Sequence, residues 1–157
     1  MMNATEVIQK IEEAWRDVPY PGDDKICPPK LYDDEGIPDY FAGTTWRDHT
    51  PVNLRYNSAA FTFFTPEAFH YWLPAFMIAA ITDPKEADVI LEYISWSVSD
   101  SYAAERWPLF SQTQREAVAA YLRFQIENFA DSSKDERKAL GILERTTSFS
   151  PDRDDRK

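Results

Sequence analysis

The chain has 157 residues, of which 43% are hydrophobic, 15% aromatic and 28% charged, with only 4 glycines and a formal net charge of −10. This length fits one domain with a sizeable aromatic core, and the composition excludes collagen, a fully disordered chain and a glycine-rich phosphate-binding fold. So acidic a surface repels a phosphate backbone, which argues against direct nucleic-acid binding, and the single cysteine, Cys27, supplies neither an internal disulfide nor a thiolate zinc site.

Asn3 followed by Glu6 is a variant of the capping box, and Val7, Ile11, Ala14, Trp15 and Val18 then recur at helical spacing. Pro19 and Pro21 lack the amide that another turn requires, so the first helix ends before them. Met1 to Glu6 show neither the basic start nor the apolar run of a signal peptide. The most apolar stretch, Ala68 to Ile81, is shorter than the roughly 20 residues of a bilayer span and contains His70 and Pro74. No membrane span is expected, and a single free thiol suits the cytosol.

Residues 19–50 are punctuated by Pro19, Pro21, Gly22, Pro28, Pro29, Gly36, Pro38 and Gly43, so no long helix fits there. Yet Tyr20, Ile26, Leu31, Tyr32, Tyr40, Phe41 and Trp46 are too apolar for a solvated linker. The segment reads as a long ordered loop pinned to a helical body by aromatics, with short strand pairing around Tyr40 and Phe41 as an alternative. Loops of this length are uncommon unless functional or disordered, so a site is sought here first.

From residue 50 a helix-start signal repeats: Thr50-Pro51, Thr65-Pro66 and Asp83-Pro84 each place a cap before a proline at the first helical position. These predict helices over 51–57, 66–81 and 84–95, with Phe61 to Phe64 as a strand-like connector or apolar turn. Ser111 with Gln114 opens a helix running to about Asn128, and Ser133 with Glu136 opens another that carries Leu140 and Leu143. The fold class is all-α: a single-domain irregular bundle of about six helices around a central aromatic-rich helix, spanning residues 1–147. Residues 148–157 form a polar tail expected to be disordered.

The central helix is apolar in nearly every direction except a stripe of Glu67, His70, Tyr71 and Pro74, which marks a core helix with neighbours on several sides. Pro74 cannot donate to the carbonyl of His70, so the helix is expected to kink there, and the freed carbonyl needs a partner.

Four elements carry a resemblance: Val18-Pro19-Tyr20-Pro21-Gly22-Asp23-Asp24, Trp46-Arg47-Asp48, the Phe63 to Phe76 block with its T-P-E-A-F and L-P-A-F runs, and Phe110-Ser111-x-x-Gln114. In these the chain resembles a bacterial family of small proteins of unknown function. The resemblance spans most of residues 5–145, and it implies a mainly helical cytosolic domain and no particular activity.

Glu67-x-x-His70 is half of a carboxylate-bridged di-iron pattern, but the second histidine, His49, has no glutamate three residues before it. Cys27, His49 and His70 fall into no nucleophile or zinc motif. Asp23-Asp24 and Asp33-Asp34-Glu35 offer oxygen ligands without the order of a calcium loop, and turn hydrogen bonding is the simpler role. No catalytic residue, metal or cofactor is assigned. Trp46 and Arg47 are residue types that dominate interface energetics, although a tryptophan anchoring the loop, with the arginine paired to a carboxylate, is the simpler alternative.

Residues 1–57 hold 11 acidic and 6 basic side chains and residues 58–110 hold 7 and 2, whereas the remainder is balanced. An acidic, aromatic-rich face complements a basic protein surface. The functional expectation is therefore a non-enzymatic acidic interaction module, of the immunity or inhibitor kind, binding a basic partner through Asp23, Asp24, Asp33, Asp34, Glu35, Trp46 and Arg47. The alternative is a small hydrolase or metal-dependent enzyme with its site between the 19–50 loop and the central helix, drawing on Asp23, Asp24, Asp48, His49, Glu67 and His70.

Overall fold

The computed structural model describes residues 2–28, 36–99, 103–128 and 134–147. Helix α1 (Ala4–Trp15) begins at a reciprocal capping box: Glu6 N–H donates to the Asn3 side chain and Asn3 N–H to the Glu6 carboxylate, both at 2.9 Å. Its stripe of Val7, Ile11 and Trp15 is buried. After it the chain makes a 3₁₀ turn at Asp23–Lys25 and then the short helix α2 (Ile37–Phe41). The Tyr40–Phe41 strand alternative is thereby corrected: Pro38 sits in the first turn of a helix, where its fixed φ is already helical.

Three further helices follow: α3 (Pro51–Tyr56), α4 (Ala60–Phe63) and α5 (Pro66–Thr82). The predicted connector at Phe61 to Phe64 is thus largely one helical turn. The Thr50 and Thr65 side chains cap α3 and α5 by accepting from Asn53 N–H at 3.2 Å and Ala68 N–H at 3.0 Å. Thr65 also donates its backbone N–H to Ile26 O at 3.0 Å, fastening the loop to the start of α5.

α5 runs unbroken through Pro74, and Phe69, Trp72, Leu73 and Phe76 are all buried. Tyr71 and Pro74 are buried as well, so the polar stripe read around the wheel is narrower than expected and reduces to Glu67 and His70. The loop covers the rest, with the Tyr20 ring standing edge-on to Tyr71 and Trp72, each at 5.9 Å.

α6 (Asp88–Ser99) starts later than the predicted 84, because the Asp83 carboxylate accepts from Glu86 N–H at 3.2 Å within a turn and helix begins only after it. α7 (Ala103–Arg106) and a 3₁₀ turn at Trp107–Leu109 lead to α8 (Gln112–Asn128), and α9 (Lys134–Thr147) ends the described chain. There are more and shorter helices than the six expected. The Ser133 cap and the 148–157 tail lie outside the described residues.

The long helices close a ring in which α5 meets α1 and α6, α8 meets α1 and α9, and α9 meets α6. No strand occurs among the described residues, and no helix there is long and apolar enough to cross a membrane. At the centre Phe41 packs on Phe64, Trp72 and Phe76 at ring separations of 5.0, 5.2 and 6.3 Å. Such pairs add about 0.5–1.5 kcal/mol each beyond area burial, so the loop is held by the same aromatic core as the helices.

Candidate functional site

The two histidines are built into hydrogen-bond networks of opposite character. Thr44 Oγ1 donates to Phe41 O at 2.8 Å and so has only lone pairs left for its other neighbours. It accepts from Trp72 Nε1–H at 3.2 Å and from His49 Nε2, at 3.0 Å. His49 therefore carries its proton on Nε2, and its Nδ1 accepts from the Tyr40 hydroxyl at 2.8 Å. Both ring nitrogens are spent on the protein, and burial pushes the imidazole below its ordinary pKa against the opposing pull of Asp48. His49 cross-links Tyr40 and Thr44 within the loop, and Thr44 carries the bond to Trp72 on α5.

At His70 the deciding residue is Gln114. Its Oε1 accepts from Ser111 N–H at 2.9 Å and its Nε2 donates to Ala14 O at 3.2 Å, which fixes the direction of the amide. The oxygen lies 2.8 Å from His70 Nε2, so that nitrogen must donate and Nδ1 holds the lone pair. Among the described residues nothing bonds to Nδ1, nor is it a sealed, unpartnered atom. Burial lowers the pKa of His70 and so favours the neutral ring, with the bond to Gln114 acting in the opposite direction. Its faces pack on Phe110 at 4.7 Å and Trp15 at 6.1 Å.

His70 opens onto a groove of about 370 Å³ between the 18–21 segment, the first two turns of α5, and Leu109. Among the described residues Glu67 is the one charged side chain in its lining; Tyr20, Tyr71, Pro19 and Pro21 supply most of the wall. The Tyr20 hydroxyl donates to Asp23 and accepts from Gly43 N–H at 2.8 Å. Burial and then Asp23 raise the Tyr20 pKa, and burial raises that of Tyr71. Among the described residues no serine, threonine or cysteine lines this groove.

Three of the four short elements singled out in the sequence meet here: Val18 to Asp24, the start of α5, and the Phe110–Gln114 cap. The fourth stands on the other side of Tyr71. Trp46 is buried, its backbone amide acts on the Tyr71 hydroxyl, and the Arg47 guanidinium lies 4.0 Å from the Trp46 ring centre. Asp48 ties off a turn, accepting from Thr45 N–H at 2.6 Å, and that bond holds its pKa below the ordinary value.

Of the expected partner-binding residues, Asp23, Asp24 and Arg47 are exposed, Trp46 is turned inward, and Asp33, Asp34 and Glu35 lie outside the described residues. Cys27 is half-buried. No group of three His, Cys, Asp or Glu side chains converges as metal ligands among the described residues. A larger groove of about 550 Å³ lies beside α4 and α6, lined by Phe61, Tyr93, Trp96 and Glu105, with Trp96 47% exposed. Sequence reasoning missed this aromatic wall; the half-polar α6 surface was its only signal.

Fold and site together define an all-α protein with one histidine open to a groove. The chain belongs to the family of unknown function DUF6714, which matches residues 3–148. No curated protein and no solved structure matches it.

Proposed function

We propose that the protein is a non-enzymatic binding module for a basic protein partner, acting by occupying the partner's surface as an inhibitor or immunity protein does. The observation that carries this reading is the placement of charge. The acidic excess lies wholly within residues 1–110, and Asp23, Asp24 and Asp48 stand exposed on turns held by aromatics packed beneath them. Exposed acids on a rigid scaffold steer a basic partner and set its on-rate. The exposed Trp96 and the Tyr93 beside it are side-chain types that anchor interfaces.

The test begins with capture of a partner and its identification by mass spectrometry. Association rates are then measured across ionic strength for wild type and for the Asp33→Lys, Asp34→Lys, Glu35→Lys variant. The reading expects fast, salt-sensitive association that slows at least about tenfold in the reversal variant, with unchanged folding stability. Equal, salt-independent rates contradict it.

A second reading rests on His70. A neutral imidazole oriented by Gln114, with its lone pair facing a groove beside Glu67, is the arrangement of a general base acting on water. Hydrolysis of p-nitrophenyl acetate faster than by free imidazole, and lost in His70→Asn, would support a hydrolase in place of a binding module.

A further inference from the structure

We propose that the groove at His70 receives one arginine side chain of the partner, its guanidinium held between the Glu67 carboxylate and His70 Nδ1. This rests on the binding-module reading and specifies its anchor. Glu67 and His70 are three residues apart on α5, so their side chains rise from the same face about 5–6 Å apart at Cβ. Between them they offer three acceptor atoms and, at neutral pH, no donor: two carboxylate oxygens and one imidazole lone pair.

A guanidinium is the complementary group, with five N–H donors in a planar fork and no acceptor. The fork takes a carboxylate through two parallel bonds and still has donors for the imidazole. The walls suit the rest of the side chain. Tyr20, 36% exposed, presents aromatic surface for the weakly hydrated cation with Tyr71 packed behind it, and Leu109, 41% exposed, gives the methylene stem an apolar neighbour. A lysine ammonium is a compact point charge that cannot pair with Glu67 bidentately. An acidic ligand would meet Glu67 with no compensating cation among the described lining residues.

The Gln114 amide is what makes the acceptor dependable. Because Ser111 N–H and Ala14 O fix its direction, His70 cannot exchange its ring proton between nitrogens without losing the bond to Gln114 Oε1. His49, whose nitrogens are both satisfied internally, is a built-in control within the same molecule.

The experiment titrates the ¹⁵N-labelled full chain with N-acetyl-arginine methylamide, its lysine counterpart and its uncharged citrulline counterpart, following the histidine ring nitrogens. A saturable shift of His70 Nδ1 is expected with the arginine probe while His49 stays still, with affinity at least about tenfold weaker for citrulline and weaker for lysine. Glu67→Gln is expected to weaken the arginine probe about tenfold and leave the His49 signals in place. No saturable His70 shift up to about 50 mM probe, or equal shifts with citrulline, overturns the proposal.

The two readings fail separately. A captured partner that associates in a salt-dependent way but is indifferent to Glu67→Gln removes the pocket and keeps the module. An arginine probe that binds His70 when no basic partner shows salt-dependent association keeps the pocket and removes the acidic-face reading.

Discussion

Trp15 donates its indole N–H to the main-chain carbonyl of His70 at 2.8 Å, across 55 positions of sequence. That carbonyl is the one Pro74 leaves without its helical N–H, so the last buried residue of α1 supplies the bond that α5 lacks. The proline thereby ties two packed helices together at the residue that also faces the groove.

A double-mutant cycle measures this coupling. Trp15→Phe should destabilise the native chain by about 2–4 kcal/mol, since it strands a buried carbonyl and opens space. Pro74→Ala returns an amide that can bond His70 O, so Trp15→Phe should cost about 1 kcal/mol less in that background. Urea unfolding of the four proteins gives the answer, and strict additivity would contradict the link.

Phe69 is 2% exposed, with the Arg106 guanidinium 4.7 Å from its ring centre and Phe61 and Phe110 at 6.2 Å. Phe69→Ala should therefore cost roughly 3–5 kcal/mol. A loss below about 1 kcal/mol would place this face of α5 at the surface.

Several of these relations were legible in the sequence because their cause is local. The caps at Asn3, Thr50, Thr65 and Ser111 follow from side chains three residues from the amide they serve, and the unmet carbonyl of His70 follows from Pro74 alone. The identity of its partner did not follow, since Trp15 and Gln114 reach His70 only through the packing of α1 and α8 against α5. The short helices α2, α4 and α7 escaped notice because four or five residues carry too little periodicity to announce themselves. At Asp83-Pro84 the cap signal was real but served a turn. Gln114 was visible as a capping-box residue, yet its second role on the histidine belongs to tertiary structure.

Burial lowers the pKa of both histidines. The folded state then binds fewer protons than the unfolded chain just below the free-imidazole value of about 6.5, so their contribution is complete above it and is lost as pH falls through that range. His49→Asn and His70→Asn should each flatten the fall in stability between about pH 7 and 5. Urea midpoints at the two ends decide it; a slope unchanged in both variants would contradict neutral buried imidazoles.

Glu136 on α9 behaves in the opposite sense. It is 8% exposed, with the Ser95 hydroxyl on α6 as a side-chain hydrogen-bond partner and the buried Tyr121 and Gln125 side chains paired with each other on α8. Burial raises the Glu136 pKa, with Asp135 and Glu92 adding to it. The folded state then holds its proton longer than the unfolded chain, and stability is lost as pH rises above the free carboxyl value of about 4.3. Glu136→Gln should stabilise at pH 7.5 by about 1 kcal/mol and by progressively less toward pH 4, read as melting temperature. Destabilisation at pH 7.5 would show that the carboxylate is well solvated there.

The central claim is that one histidine is closed and the other is an open, oriented acceptor. Two-bond ¹H–¹⁵N correlation spectra of the histidine rings at pH 7.5 test this directly. The account predicts that both rings carry the proton on Nε2, with the Nδ1 signal of His49 showing an accepted hydrogen bond and that of His70 showing a free lone pair. A proton on Nδ1 of His70, or rapid averaging of its two nitrogens, would contradict the Gln114 network and the groove reading built on it.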